Sequence, residues 1–178
     1  MISLYTINNT DYNDWEKWIA IYQSSFPIEE QRPLDSIIHL IEKEQRYRAE
    51  AILHDGQCIG LLTSWCFDTF IYIEHFAIAS TSRSSGYGSM ALRTFIDSQS
   101  LPIILEAEPP TEEMAIRRIG FYERNGFVLY AYDYYQPPYT PDRQGIPLRL
   151  MGTISEEEEA RPDKIARTLH REVYNIEL

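Results

Sequence analysis

Hydrophobic and polar positions along this chain follow two periods, and the changeovers mark its elements. Residues 2–7 read as a short strand. Over residues 14–26, Trp15, Trp18, Ile19, Tyr22 and Phe26 recur at helical spacing and predict an amphipathic helix. Ser25-Phe26-Pro27 ends it, and a second helix follows Pro33, with Leu34, Ile37, Ile38 and Ile41 on one face. Residues 48–54 and 58–67 read as strands on either side of His54-Asp55-Gly56-Gln57, a hairpin turn in which Asp-Gly tolerates positive φ. After the short turn Asp68-Thr69, residues 70–79 form a third strand of this antiparallel meander. A polar stretch, 80–85, leads through Gly86-Tyr87-Gly88 into a helix over 89–98 that carries Met90, Leu92, Phe95 and Ile96.

Residues 102–107 then read as a strand. Pro109-Pro110-Thr111-Glu112-Glu113 opens a helix that runs to Arg124, and Asn125-Gly126 closes it with Gly126 as a left-handed cap. Strands are predicted at 127–134 and 148–154. The loop 136–147 between them is stiffened by Pro137, Pro138, Pro141 and Pro147. In the tail, four acids in Ser155-Glu156-Glu157-Glu158-Glu159 suit a helix N-terminus. Ile165, Leu169 and Val173 follow at helical spacing, so a final helix is expected to pack on the body or on a second subunit. The chain is thus read as a body over 1–154 and an extension over 155–178.

Charge narrows the partners. Sixteen basic against 27 acidic residues give a net charge of −11. That argues against a nucleic-acid binder, whose affinity rests on neutralising phosphates. It argues less strongly against an anionic membrane surface and mildly favours cationic partners. With 178 residues, and roughly 100–200 per domain, one domain is expected. The N-terminal residues lack the basic and apolar regions of a signal peptide, and no stretch is long and apolar enough to span a bilayer. Cys58, Cys66 and the four scattered histidines show no metal-ligand spacing. No metal site and a reducing cytoplasm are the expectations.

The most informative stretch runs from residue 73 to 92. A strand delivers the chain to a loop containing Arg83, then Gly86 and Gly88, and a helix starts at once. Unsatisfied amides at a helix N-terminus and the helix dipole together bind phosphate, and glycines let the backbone approach it. Ser89 adds a hydroxyl donor. No Gly-Lys-Ser/Thr follows, so this is not a P-loop. Arg83 stands where a dinucleotide fingerprint has its first glycine.

Arg83-Ser84-Ser85-Gly86-Tyr87-Gly88 resembles the Arg/Gln-x-x-Gly-x-Gly/Ala signature of the GNAT superfamily of acyl-CoA-dependent N-acyltransferases. The preceding Glu74-His75-Phe76-Ala77-Ile78 is similar to that family's motif strand. Ile119-Gly120-Phe121-Tyr122-Glu123-Arg124-Asn125-Gly126-Phe127 resembles its later helix ending. The resemblance covers residues 2–152, and the element order follows the family. Ser80 and Ser84 stand where the family often has Pro and Gly, and Ala115 where it often has Asn.

The resemblance implies an α+β fold with a mixed, mostly antiparallel central sheet and flanking helices. It implies acetyl-CoA as co-substrate, without a metal, and acetyl transfer to a primary amine by direct attack in a ternary complex. It places the backbone of Phe76, Ala77 and Ile78 along the acyl and pantetheine groups. Arg83 and the amides of Ser84, Ser85, Gly86, Tyr87, Gly88 and Ser89 fall at the pyrophosphate. Tyr122 falls at the family's general acid, which protonates the leaving thiolate; the alternative is a tyrosine packing on Phe127. Glu74 is the candidate base, read on the face of Phe76 and Ile78, or else a carboxylate bonding a neighbouring strand. His75 is expected on the opposite face as a core histidine. For the acceptor, a small-molecule or peptide amine, the resemblance points to Glu29 and Glu30 and to an aromatic wall of Tyr132, Tyr134, Tyr135 and Tyr139. Rival readings are a non-catalytic acyl-CoA sensor and an interaction module. A homodimer is expected from the tail helix and from the family's habit.

Overall fold

The computed structural model describes residues 1–154 and 161–176. The chain divides into two compact units, Met1–Leu101 and Pro102–Leu178. The first unit contains β1 (Ile2–Ile7), α1 (Trp15–Ser25), α2 (Leu34–Lys43), β2 (Tyr47–His54), β3 (Gln57–Cys66), β4 (Ile71–Ile78) and α3 (Tyr87–Asp97). Its strands pair antiparallel in the order β1-β2-β3-β4. Asp55 and Gly56 both take positive φ, 49° and 80°, as a two-residue hairpin turn between twisted strands requires.

Eight consecutive positions of β3 are buried, which happens when helices cover both faces of a sheet. On one face Ala91 of α3 packs with Ile2, Ile52, Ile59 and Ile78, with Phe76 against this cluster. On the other, Trp18 and Tyr22 of α1 are buried, and the Tyr22 ring meets His75 edge-on at 4.9 Å.

The second unit contains β5 (Ile103–Ala107), α4 (Glu113–Arg124), β6 (Val128–Gln136), β7 (Ile146–Gly152) and α5 (Pro162–Glu172). Its strands pair antiparallel with β7 in the middle: Leu105 opposes Met151, and Tyr134 opposes Leu148. Helix α4 starts at Glu113, later than the proline pair suggests. Pro110 biases Pro109 towards extended backbone, and the Thr111 amide closes a tight turn on the Pro109 carbonyl at 2.7 Å before the helix begins. Helix α5 starts with Pro162 in its first turn and Asp163 beside it, a pairing suited to a helix N-terminus. The acidic run 155–159 lies outside the described residues. Ile165, Ala166 and Leu169 of α5 are buried, and α5 packs on β6. The apolar side of the tail helix is therefore occupied within its own unit, which removes it as a ground for a partner subunit.

Among the described residues no helix is long and apolar enough to cross a membrane. Among them, too, no group of three or more His, Cys, Asp or Glu is placed to hold a metal ion.

Candidate active site

The glycine loop is built from β4 outwards. Beyond its last residue, the Ala79 amide bonds to the Ile59 carbonyl at 2.8 Å, so Ala79 and Ile59 form a hydrogen-bonded pair. Such pairs alternate along an antiparallel ladder, so the peptide groups of Phe76 and Ile78 turn away from β3. The Ile78 carbonyl accepts the Arg83 Nε–H at 3.0 Å. Arg83 thus holds the loop onto the strand end. Ser84 and Gly86 take left-handed backbone, at φ 66° and 77°, and Gly86 is the N-cap of α3. A Cβ on Gly86 would meet nothing within 4 Å, so φ, not crowding, selects glycine there. The first ladder bond of α3 runs from the Met90 amide to the Gly86 carbonyl at 3.1 Å. The amides of Tyr87 and Gly88 precede it, at the positive end of the dipole, beside exposed Ser84, Ser85 and Gly86. The Tyr87 ring rests on His54 at 4.4 Å. An exposed loop with alternating left-handed residues and unladdered amides fits a pyrophosphate.

Glu74 is placed differently from its sequence position. The register of β4 on β3 passes from Thr63↔His75 to Ser64↔Ile73, so Glu74 is the extra residue of a β-bulge. The bulge turns its side chain away from the side of Phe76 and Ile78 and onto that of His75. The Glu74 carboxylate and His75 Nδ1 come within 4.0 Å, where a regular strand would set them on opposite faces. Arg32, from the linker between α1 and α2, donates from Nη2 and Nε to Glu74 Oε1 at 2.6 and 3.1 Å, and Trp65 Nε1–H donates to Oε2 at 3.0 Å. The Glu74 side chain has no exposed surface and that of Arg32 is 10% exposed. Burial opposes the Glu74 charge, but the Arg32 guanidinium and the Arg32 and Trp65 hydrogen bonds outweigh it and hold the carboxyl below its ordinary pKa. A carboxylate in that state is a poor proton acceptor.

His75 Nε2–H donates to the Glu30 carbonyl at 2.9 Å, which leaves Nδ1 to accept the Thr63 hydroxyl at 3.1 Å. Burial pushes its pKa down, in keeping with this neutral tautomer. The Arg32 amide donates to the Tyr22 hydroxyl at 2.7 Å, and Gln31 Nε2 donates to the Phe26 carbonyl at 2.7 Å. Strand β4 thereby fixes the linker that carries Glu29, which is exposed, and Glu30, which is half-buried. Sequence reasoning missed Arg32 and Trp65. Their only signal was a basic residue in the linker after α1 and an indole on the neighbouring strand.

Tyr122 sits in the last turn of α4, and the chain beyond it fixes where. Gly126, at φ 91°, lets its amide bond back to Glu123 O at 3.0 Å, and the Phe127 amide to Tyr122 O at 3.1 Å. This is a Schellman closure, with its hydrophobic contact supplied by Tyr122 and Phe127 at 5.7 Å. The Tyr122 side chain is buried against that neighbour. Tyr134 is buried too, whereas Tyr135 is 52% exposed, because strand neighbours face opposite ways. The expected tyrosine wall is therefore not one surface.

These two assemblies, a strand running into an open helix N-terminus and a tyrosine held by a glycine-closed helix, are the segments whose sequence resembles acyl-CoA-dependent transferases. Residues 15–127 match the Acetyltransferase (GNAT) family. The chain belongs to that family. A solved structure assigned to the GNAT acetyltransferases of Bacteroides thetaiotaomicron is 36% identical, with a TM-score of 0.92, over 98% of this chain and 99% of its own. YjbC of Bacillus subtilis (strain 168), assigned as an acetyltransferase, is 26% identical over 112 residues, 62% of this chain and 56% of YjbC. The match thus spans little more than half of that relative. A Bacillus subtilis acetyltransferase solved in complex with CoA shares the fold at 12% identity and a TM-score of 0.59, over 85% of this chain and 97% of its own.

Proposed function

We propose that this protein transfers an acetyl group from acetyl-CoA to a primary amine by direct attack in a ternary complex. The observation that carries the reading is the exposed N-terminus of α3, capped by left-handed Gly86, directly after a strand whose Phe76 and Ile78 peptide groups turn away from β3. Acetyl-CoA, when bound, supplies the activated acyl carbon. The amides of Tyr87 and Gly88, with Ser84, Ser85 and Ser89 around them, hold the pyrophosphate, and Arg83 keeps that loop on the strand. The amides of Phe76 and Ile78, on either side of Ala77, orient the arm and polarise the acyl carbonyl. Donors aimed at developing negative charge lower the barrier to acyl transfer. Tyr122 donates the proton that the leaving thiolate needs.

Glu74 serves as a positioning residue. Its pairing with Arg32 orders the linker of Glu29 and Glu30, which presents acid to an incoming amine, and the amine's proton leaves through water.

Calorimetric titration with acetyl-CoA tests the cofactor half. Wild type is expected to bind at micromolar concentration, and Gly86→Glu, which strains the cap and places an anion in the loop, to bind none. In a thiol-release assay over a panel of amines, Tyr122→Phe is expected to lower kcat about 100-fold with little change in KM. Binding without turnover on any amine would identify a sensor. No binding by well-folded wild type would overturn the reading.

A further inference from the structure

Strand β4 grips the linker between α1 and α2 at two places, and the bulge makes both possible. A regular strand would turn only one of two consecutive side chains towards the linker. With Glu74 as the extra residue, Glu74 and His75 both face it. Glu74 takes the Arg32 guanidinium. His75 takes the main chain two residues earlier, donating Nε2–H to the Glu30 carbonyl at 2.9 Å. The Tyr22 hydroxyl lies 3.3 Å from the same nitrogen and accepts the Arg32 amide, so it closes the span between the two grips.

The His75 ring is itself held. It stands edge-on to Tyr22 and Phe26, with centroids 4.9 Å from each, and the Thr63 hydroxyl donates to Nδ1 at 3.1 Å. Its hold on the linker falls at the end of a single 3-10 turn, Ile28–Glu30, closed by the Glu30 amide on the Pro27 carbonyl at 3.0 Å. Gln31 ties the far side of that turn to α1 through the Gln23 and Phe26 carbonyls. With the Glu30 carbonyl held inwards, Glu29 and Ile28, the latter 53% exposed, form the free face of the turn. Phe76, the next residue of β4, has its peptide group turned away from β3. One strand therefore sets both the turn and the amide to which the acetyl-transfer reading gives the acyl carbonyl.

We propose that His75 is a positioning residue for the amine acceptor: by holding the Glu30 carbonyl it fixes the Ile28–Glu30 turn, and with it Glu29, relative to the Phe76 amide. The role in acceptor binding rests on the acetyl-transfer reading; the anchoring of the turn does not. His75 transfers no proton in this role, since Thr63 takes Nδ1 and Glu30 takes the Nε2–H. It acts by keeping the acceptor's contacts in one place, so that their binding energy is not lost to ordering the turn.

Amide hydrogen exchange of the intact chain reads the anchor without turnover. His75→Phe keeps both edge-on ring contacts and removes both nitrogens. It should speed exchange over residues 28–32 about 10-fold and leave residues 83–90 unchanged. In the thiol-release assay the same variant should raise KM for the amine about 10-fold, with kcat within about twofold and acetyl-CoA affinity unchanged by calorimetry. Thr63→Val, which removes only the hydroxyl that orients the ring, should move exchange and KM in the same direction by less, and it serves as the test should His75→Phe not fold. Unaltered exchange over residues 28–32 in a folded variant overturns the proposal. Faster exchange with an unchanged KM overturns the role in acceptor binding, and so does a loss of acetyl-CoA affinity as large as the rise in KM. If wild type acetylates no amine while exchange over 28–32 responds, the acetyl-transfer reading fails and the anchored turn stands.

Discussion

Glu74 and Glu50 are both buried in the first unit, and their surroundings drive their ionisation in opposite directions. For Glu74 burial is outweighed by Arg32 and the hydrogen-bond donors, so its folded pKa lies below its unfolded one. The stability it contributes is present above the unfolded pKa and lost as pH falls through the folded one. Glu74→Gln strands a guanidinium that is 10% exposed, and should cost about 3–5 kcal/mol at neutral pH in urea melts. For Glu50 burial dominates, Arg48 offsets it only partly, and Oε2 makes no hydrogen bond among the described residues. Its folded pKa is raised, so its contribution is present below the unfolded pKa and lost as pH rises through the folded one. Glu50→Gln should therefore stabilise the protein at about pH 8, by about 1 kcal/mol, and give no gain at about pH 4. Equal melting of wild type and variant at both pH values would refute this. Both glutamates look alike in the sequence. The partner that separates them, Arg32, is 42 residues from Glu74 and meets it only in the fold.

At the scale of elements, most boundaries follow from local chemistry. The Asp55-Gly56 hairpin and the Gly126 closure of α4 are both legible, because each depends on a residue that tolerates positive φ. The closure also fixes Tyr122, the proposed acid, four residues before Gly126. Gly126→Ala should cost about 1 kcal/mol and disturb Tyr122, so kcat should fall while acetyl-CoA affinity holds. An unchanged kcat would separate Tyr122 from the chemistry. The bulge at Glu74 was not legible. It consists of one residue without a cross-strand partner, and nothing within the segment of residues 73–78 announces it. It changes which face Glu74 occupies, because one extra residue reverses the alternation of side chains.

Across the whole chain, each unit buries its own core. In the second, Leu169 of α5 is wholly buried, although α5 lies beyond the family-matched residues 15–127. Leu169→Ala should lower stability by about 2–5 kcal/mol in chemical denaturation, the range for truncating a buried leucine. A loss of a few tenths would show α5 to be an ornament. The tail helix also brings His170 and Tyr174 over Glu106 and Tyr134, residues far from it in sequence.

The order of strands and helices, the glycine loop after β4 and the tyrosine before Gly126 were settled by the sequence alone. Each rests on interactions between neighbours within a turn or two: period, cap and left-handed backbone. The tertiary structure decided the pairing of Glu74 with Arg32, the neutral tautomer of His75 and the gathering of Glu106, Tyr134, Tyr174 and His170. Those depend on charge, burial and hydrogen bonding between segments tens of residues apart, and no local pattern encodes such distances.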